Sequence, residues 1–419
     1  MDTHDREMQA LGQRARAAAR QVAKASGAVK TAALQAMASA LRASTAELLA
    51  ANAEDLASAD ARGVTGALRD RLKLTEERIE KMARGLDEIA LLPDPVGQSL
   101  GTTIRPNGLR VGQVRIPLGV IGIVYEARPN VTADAAGLCL KAGNVVILRG
   151  GSEAAHSNTA ILKVLRAAAE SAGLPADAFM TLPSTDRAWV MAMLKAEEWL
   201  DLVIPRGGEA LIRFVAEHAR VPVIKHYKGV CHVYVDAAAD LNQALDICYN
   251  AKVQRPGVCN AAETFLIHRD IAAEFLPKLS ERLSSAGVEV RGCDVTRGHL
   301  TDVKAATADD YHAEFLDLIV AMRVVSSMDE AIEHIETYGS DHTEAIVSED
   351  YTAVQRFLNE VNSSVVVANA STRFADGGEL GLGAEIGIST TRLHAYGPMG
   401  VTDLTARKWV VYGSGQTRS

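Results

Sequence analysis

The first quarter of the chain carries apolar residues at helical spacing. Residues 6–92 are rich in Ala, Leu, Glu and Arg, and apolar side chains recur every three or four positions, as at Leu34, Met37 and Leu41. This spacing predicts α-helix almost throughout, with Gly63 as a C-cap. A proline-punctuated turn, LLPDPVGQ, then ends the helical part.

The pattern changes to alternation at Leu109. The segment LRVGQVRIPLGV is β-branched and alternates, which predicts a ribbon standing out from the main body. The apolar segment KWVVYGSG near the C-terminus would be an exposed edge strand if it stayed unpaired. We therefore expect it to pair with the ribbon, from another subunit.

Residues 119–227 alternate apolar runs of four to seven residues with helical stretches of about a dozen. GVIGIVYEA and NVVILRG predict buried strands, and TADAAGLCLKAG predicts a helix with Thr132 at its cap. A second run of this kind extends to SSVVVANA and contains a helix in which Ser327 and Glu330 would make a capping box. Apolar strands between helices indicate parallel sheets covered on both faces, and hence an α/β fold.

Size and composition narrow the class of protein. The chain has 419 residues and 48% hydrophobic content, enough for two or three domains. Its net charge of −8 argues against nucleic-acid or anionic-membrane partners, and its apolar runs are too short to span a bilayer. The Ala- and Arg-rich N-terminus could be a transit peptide or a surface helix, and the acidic Asp2, Asp5 and Glu7 favour the helix.

The five cysteines bear on both compartment and chemistry. They are odd in number and contain no CxxC pair, which fits free thiols in a reducing cytoplasm without a metal site. Cys139 and Cys248 lie on apolar faces of predicted helices and are expected in the core. Cys231 is expected to pack within a strand, and Cys293 to have no role.

Cys259 has a different setting, in the segment QRPGVCNAAET. It follows Pro256-Gly257 and precedes a strand, so its backbone lies in a turn, where reactive groups are commonly displayed. Free cysteine is also among the most buried residue types. The local pattern therefore leaves two interpretations open, a core thiol or a nucleophile.

Two further segments could carry chemistry at strand ends. Asn130 stands just ahead of a helix in EARPNVTAD, either as an N-cap or as an amide donor to a developing oxyanion. NVVILRGGSEAAHSN and IPRGGEALI each place glycines between a strand and a helix, where backbone N–H groups attract phosphate. They supply the candidate phosphate-binding residues Arg149, Gly150, Gly151, Ser152, Gly207 and Gly208.

In this order the motifs resemble the aldehyde dehydrogenase superfamily, most closely its branch that acts on glutamyl phosphate in proline biosynthesis. The segments that carry the resemblance are VYEARPNVTADAA, VVILRGGSEAAHSN, DLVIPRGG, KGVCHVYVD, QRPGVCNAAET and SDHTEAIVSED. The resemblance implies two Rossmann-like α/β domains and a small β oligomerisation flap. The implied domains are residues 1–107 with 121–228 for NADPH, 229–368 for catalysis, and 108–120 with 385–419 for the flap.

The resemblance also implies an activity. It is the NADPH-dependent reduction of L-glutamyl 5-phosphate to L-glutamate 5-semialdehyde and phosphate, through a Cys259 thioester and without a metal. The enzyme would be a cytoplasmic homo-oligomer, a dimer or dimer of dimers. Glutamate 5-kinase is a candidate partner, and the sequence alone does not show whether it docks.

Individual positions take roles from the same resemblance. Cys259 matches the nucleophile and Asn130 the oxyanion-holding asparagine. Arg149 stands where relatives place a lysine against the adenosine ribose, and could pair with the 2′-phosphate or merely cap a helix. Glu314 lies near a ribose-binding glutamate, in a diverged motif. Arg255 and Arg128 could bind substrate anions or form structural ion pairs.

One departure from the superfamily is informative. Aldehyde-oxidising relatives carry a glutamate that activates the water for thioester hydrolysis, whereas residues 227–232 here contain no carboxylate. This favours a phosphate-linked reductase. The alternatives are another acylating or oxidising aldehyde dehydrogenase and a non-catalytic protein on the same fold.

Overall fold

The structure is a computed structural model that describes residues 3–418. Its helices are α1 (Thr3–Val22), α2 (Gly27–Ala43), α3 (Thr45–Ala61), α4 (Gly66–Leu72), α5 (Glu76–Leu91), α6 (Asn130–Lys141), α7 (Ala155–Ser171), α8 (Arg187–Leu194), α9 (Glu209–His218), α10 (Leu241–Val253), α11 (Arg269–Ser285), α12 (Asp294–His299), α13 (Ala308–Tyr311), α14 (Met328–Tyr338) and α15 (Tyr351–Glu360). Asp2 lies outside the described residues, and the rest of the predicted N-terminal surface helix is α1.

The strands are β1 (Ser99–Ile104), β2 (Arg110–Pro117), β3 (Val120–Tyr125), β4 (Val145–Gly150), β5 (Phe179–Thr181), β6 (Leu202–Arg206), β7 (Cys231–Val235), β8 (Ala262–His268), β9 (Glu289–Gly292), β10 (Lys304–Ala305), β11 (Ile319–Val325), β12 (Thr343–Val347), β13 (Val365–Ala368), β14 (Gly387–Ser389), β15 (Gly397–Met399) and β16 (Thr405–Tyr412). The predicted α/β class is confirmed.

The chain divides into two compact units. The first runs to Lys225 and also includes residues 381–387 and the chain from Met399 onwards. Its main sheet is parallel, in the order β5-β4-β3-β6, and every residue of β3 is buried. Residues 6–92 form five helices, as their periodicity predicts, and Gly63 has the positive φ of 74° that suits the end of α3.

The first unit also contains an antiparallel sheet in the order β1-β2-β16. The register pairs Trp409 with Gln113 and Val411 with Val111. The ribbon and the C-terminal strand thus pair as the edge-strand argument predicts, but they do so within one chain. The expectation that the partner strand comes from another subunit is wrong for this pairing, because the chain returns to its own ribbon.

The second unit comprises residues 226–380 and 388–398. Its seven-stranded parallel sheet has the order β10-β9-β11-β8-β7-β12-β13. Apolar side chains of the central strands β7, β8 and β11 pack against α10 and α11 in one hydrophobic core. β8 therefore lies in the middle of the sheet and fixes the end of the segment that carries Cys259, which begins after α10.

Two local predictions require correction. Helix α6 begins at Asn130, two residues before the predicted cap at Thr132, whose hydroxyl is instead buried against Tyr125. At α14, Ser327 accepts the N–H of Glu330 as a cap should, but the Glu330 carboxylate accepts the N–H of Ser326 rather than that of Ser327. The capping box is therefore only half formed.

Candidate active site

Cys259 lies in a turn between α10 and β8. The Ala261 N–H donates to the Val258 carbonyl at 3.0 Å, which closes the turn around Cys259 and Asn260. The Cys259 side chain is partly exposed, whereas the thiols of Cys139, Cys231 and Cys248 are buried. Burial raises the pKa of each of these three thiols, so they stay protonated and inert.

The backbone of Cys259 is held from the side of β7. The Cys231 thiol donates a hydrogen bond to the Cys259 carbonyl at 3.1 Å, and His342 Nδ1 lies 3.6 Å from the same sulfur. Gly229 approaches so closely that a Cβ there would lie 2.0 Å from the Cys259 carbonyl oxygen. Cys231 was expected only to pack, and the structure adds a hydrogen bond to the candidate nucleophile.

The next residue, Asn260, anchors the turn on its other side. Its side-chain amide donates to the Ala375 carbonyl at 2.9 Å, and its own carbonyl accepts the Thr372 hydroxyl at 2.7 Å. Asn260 is 4% exposed, so these bonds are shielded from water. Together with Cys231, they fix the turn through three hydrogen bonds from distant parts of the chain.

Two buried carboxylates of the second unit lie close to this turn, and each is paired with a basic side chain. Glu263 pairs with Lys252 at 2.6 Å, and Glu344 accepts His232 Nδ1 at 2.9 Å. Burial raises the pKa of Glu263 to about 7, an effect that Lys252 opposes. Neither carboxylate is placed in the Tyr227–His232 segment, where oxidising relatives would carry their water-activating glutamate.

Glu314 lies in the irregular segment after α13. The neighbouring Leu316 N–H donates to Glu263 at 3.3 Å, and the Leu316 carbonyl lies 3.7 Å from where a Cβ of Gly257 would be. The structure therefore brings the segment of Glu314 beside the turn that precedes Cys259.

The arginines of this unit include one that the sequence patterns did not single out. Arg255 is exposed in the loop just before Cys259. Arg373, in a short 3₁₀ turn (Thr372–Phe374), donates from Nε to Gln254 at 2.9 Å. The lone arginine in STRFADGG gave no periodic or motif signal, and only the folded chain brings it next to Gln254 and Arg255.

Asn130 and Arg128 lie in the first unit, at the turn between β3 and α6. Ala127 has a φ of 42°, uncommon for a residue with a Cβ and typical of constrained functional turns. Asn130 is the first residue of α6 and makes no capping hydrogen bond, so the N-cap interpretation is wrong. Its Nδ2 donates to Asp134 at 2.9 Å, which orients the amide and leaves its second N–H for another acceptor. Arg128 is exposed in this turn.

Arg149 is the penultimate residue of β4 in the same unit. Its Nη2 donates to the Thr185 carbonyl at 2.7 Å, and burial lowers its pKa. Its Nε is buried and has no hydrogen-bond partner among residues 3–418. A buried guanidinium donor without an acceptor is a feature that an anionic ligand would satisfy.

The two glycine pairs are in contact with carboxylates of the protein itself. A Cβ on Gly151 would lie 2.1 Å from Glu153, and a Cβ on Gly207 would lie 2.3 Å from Glu126. The Gly208 N–H donates to Glu126 at 3.0 Å. A phosphate at either pair would therefore meet a carboxylate, Glu153 at the first pair and Glu126 at the second.

Cys293 is the N-cap of α12, where its sulfur accepts the Thr296 N–H at 3.5 Å, so it has a structural role.

No group of three or more His, Cys, Asp or Glu side chains within residues 3–418 is arranged to hold a metal ion. In the same range, every helix is too short or too polar to cross a membrane.

Comparison with known proteins places these features in a family. The model of the aldehyde dehydrogenase family matches residues 2–314. The chain is 61% identical over 361 residues to a gamma-glutamyl phosphate reductase of Geobacter metallireducens, which covers 86% of each chain. It is 56% identical over 409 residues, 98% of each chain, to the protein of that name from Desulfatibacillum aliphaticivorans.

A solved structure shows the same likeness over the full length. The gamma-glutamyl phosphate reductase of Thermotoga maritima superposes with a TM-score of 0.96 at 46% sequence identity. The match covers 99% of this chain and 100% of that one. At 13% identity, a glyceraldehyde-3-phosphate dehydrogenase of Methanocaldococcus jannaschii, solved with NADP, shares the fold with a TM-score of 0.69.

Proposed function

Because the chain belongs to the aldehyde dehydrogenase family, and within it to the gamma-glutamyl phosphate reductases, we propose that it reduces L-glutamyl 5-phosphate. The products are L-glutamate 5-semialdehyde and phosphate, the second step of proline biosynthesis from glutamate. This reaction makes the chain an NADP-dependent oxidoreductase of the acyl phosphate-reducing type.

The observation that carries the proposal is the turn of Cys259. Its thiol is partly exposed on a turn anchored by Cys231, Thr372 and Ala375. A core cysteine would need no such anchoring, whereas a nucleophile must be held in one orientation toward the acyl carbon.

In the proposed chemistry the Cys259 thiolate attacks the acyl carbon of the substrate. The carbon–oxygen bond to phosphate breaks, phosphate leaves with the electron pair, and a thioester remains on Cys259. The Cys259 N–H and the Asn130 amide are proposed to stabilise the oxyanion that forms during this attack. After reduction, the thiohemiacetal on Cys259 collapses to release the aldehyde and the thiolate.

NADPH, when bound, supplies the hydride that reduces the thioester carbon. Arg149 would contact the 2′-phosphate through its buried Nε, with Gly150, Gly151 and Ser152 beside it. Glu314 would contact a ribose of the cofactor. Arg149 supports this assignment because guanidinium donors match the geometry of phosphate oxygens.

The missing carboxylate in residues 227–232 favours transfer to phosphate over hydrolysis. Oxidising relatives carry the general base for water in this segment, whereas the buried Glu263 and Glu344 lie outside it and form ion pairs with Lys252 and His232. In the aldehyde-oxidising direction, the Cys259 thioester is therefore proposed to react with phosphate and not with water. An acylating or hydrolytic aldehyde dehydrogenase would not need phosphate.

The first test replaces the proposed nucleophile. Cys259→Ser should lower phosphate-dependent NADP reduction with glutamate semialdehyde to below about a tenth of the parent rate, because serine is a far weaker nucleophile at neutral pH. Cys293→Ser is the control and should keep the parent rate. Turnover of Cys259→Ser above that limit, or oxidation without phosphate in the parent enzyme, would contradict the proposal.

The second test concerns the cofactor. Arg149→Ala should reduce the ratio of kcat/KM for NADPH over NADH by about tenfold or more, because a charge-assisted contact to the 2′-phosphate is lost. Arg166→Ala, also in the first unit, is the control. An unchanged ratio in Arg149→Ala would assign Arg149 to structure alone.

Three further proposals concern assembly and location. The antiparallel sheet of β1, β2 and β16 exposes Ile104 and Trp409 at 71% and 68%, which supports a role as the oligomerisation flap of a homo-oligomer. Contact with glutamate 5-kinase would shorten the path of a labile acyl phosphate. The free thiols support a cytoplasmic setting.

A further inference from the structure

Arg373 lies on the segment that anchors the turn of Cys259. Thr372, directly before it, and Ala375, two residues after it, both bind Asn260, the residue that follows the candidate nucleophile. Thr372 is fully buried, and Ala375 is fully buried as well. The position of Arg373 is therefore fixed relative to Cys259 by two shielded hydrogen bonds, one on each side.

The guanidinium of Arg373 is oriented by the loop on the other side of the turn. Its Nε donates to Gln254 at 2.9 Å, and Gln254 directly precedes Arg255. Because the guanidinium is planar, this hydrogen bond from Nε also orients the two terminal nitrogens, which remain on the other edges of the group.

Arg373 lies near a second cation, Arg255, as well as near the acidic Asp376. Burial, and then the nearby charge of Arg255, lowers the pKa of Arg373, whereas Asp376 and Cys259 act in the opposite direction. Two guanidinium groups held near each other and near a thiol form a local positive field. The repulsion between the two positive charges destabilises the folded site unless an anion is bound there for part of the reaction cycle.

We propose that Arg373 acts with Arg255 as an oxyanion-binding pair for the substrate beside Cys259. The proposal rests on the function proposed above, whose substrate carries two oxyanion groups, a phosphate on the reacting carbon and a carboxylate at the other end. Both groups suit a pair of guanidinium forks.

The experiment compares alkylation of Cys259 by an anionic and a neutral reagent. Iodoacetate and iodoacetamide have the same reacting carbon, so the ratio of their rates reports the local positive charge. Arg373→Gln should lower the iodoacetate-to-iodoacetamide ratio at Cys259 by about tenfold, because one cation near the thiol is removed. The modified peptide is identified by mass spectrometry, which separates Cys259 from the other four thiols.

Two variants make the result specific. Arg356→Gln removes a cation from α15 in the same unit, where it pairs with Asp329 and Glu360, and should leave the ratio unchanged. Arg373→Lys keeps the charge and loses the fork, so it should keep most of the ratio. An unchanged ratio in Arg373→Gln, or an equal fall in Arg356→Gln, overturns the proposal.

Steady-state kinetics then identify the group that is bound. In the aldehyde-oxidising direction, a rise of about tenfold in the KM for inorganic phosphate in Arg373→Lys assigns the phosphate, and a similar rise in the KM for semialdehyde assigns the carboxylate. If neither KM changes, Arg373 does not bind substrate. If the parent enzyme shows no phosphate-dependent reaction, the proposed function fails, while the alkylation ratio still tests the anion site.

Discussion

Gly229 has no side chain at a position where the structure leaves no room for one. Its backbone lies against the Cys259 peptide, and its φ needs no glycine, so steric contact alone explains the residue. Cys231, two residues on, donates to the same carbonyl. A stretch that resembles ordinary strand sequence therefore acts as a support for the candidate nucleophile.

Gly229→Ala tests this support. The added Cβ would lie 2.0 Å from the Cys259 carbonyl oxygen, so the turn must shift. We expect a loss of turnover of about a hundredfold, in line with the cost of small displacements of reacting groups, and a loss of stability of about 1–3 kcal/mol from overpacking. Turnover and thermal unfolding would be measured together.

The matched control is Gly298→Ala in α12. A Cβ there has no atom within 4 Å, and the position lies in the same unit. It should leave both turnover and unfolding temperature near the parent values. Parent-like turnover in Gly229→Ala would show that the turn of Cys259 does not depend on this contact.

At the scale of elements, α14 buries a histidine against aromatic side chains. His334 is 2% exposed, with its ring 4.8 Å from that of Tyr311 and 4.6 Å from that of Tyr338. Its Nδ1 lies 3.1 Å from Arg323 Nη1, and a guanidinium can only donate, so Nδ1 accepts and the ring is neutral. Burial, with added repulsion from neighbouring basic groups, lowers the pKa of His334 to about 2.

This burial predicts a pH dependence of stability. Between pH 6.5 and pH 2 the unfolded chain binds a proton at His334 that the folded chain does not, so stability falls as the pH is lowered below 6.5. From pH 7 to pH 5 the loss from this residue should be about 2 kcal/mol. It would be measured as the free energy of unfolding in urea at the two pH values.

His334→Gln keeps a hydrogen-bond acceptor for Arg323 but does not titrate, so its stability should depend on pH less steeply than that of the parent. His299→Gln, at an exposed position, should retain the parent slope. Equal slopes in the parent and in His334→Gln would show that His334 is not held neutral.

At the scale of the whole molecule, the antiparallel sheet carries a group of exposed large apolar side chains. Trp409, Val411 and Tyr412 of β16 are 68%, 53% and 65% exposed. Since β16 is already paired with β2 in its own chain, this surface is not explained by strand pairing. It is suited to contact with another copy of the chain.

Trp409→Asp should weaken self-association of the chain. If this surface is the interface, the substitution removes an aromatic side chain that association would bury and introduces a charge there, which should raise the dissociation constant by at least about tenfold. Sedimentation velocity over a range of concentrations would measure it. Leu91→Asp, at an 82% exposed site of the same unit, is the control, and an equal effect there would argue against the flap as the interface.

The sequence by itself determined the elements and their class. Runs of four to seven apolar residues are stable as strands only when both faces are covered, so the parallel sheets followed from periodicity. Pro256-Gly257 also predicted a turn at Cys259, but the local pattern alone left a core thiol and a nucleophile as open alternatives. The resemblance of the motifs added the family, which the comparisons confirm.

Only the tertiary structure decided the contacts between residues far apart in the chain. The hydrogen bond from Cys231 spans 28 residues and that from Thr372 spans 112, and no local pattern encodes such distances. For the same reason Arg373 carried no signal, and the start of α6 at Asn130 could not be separated from a start at Thr132. Local periodicity sets which segments become helices or strands, whereas the packing of distant segments decides which side chains meet at the site.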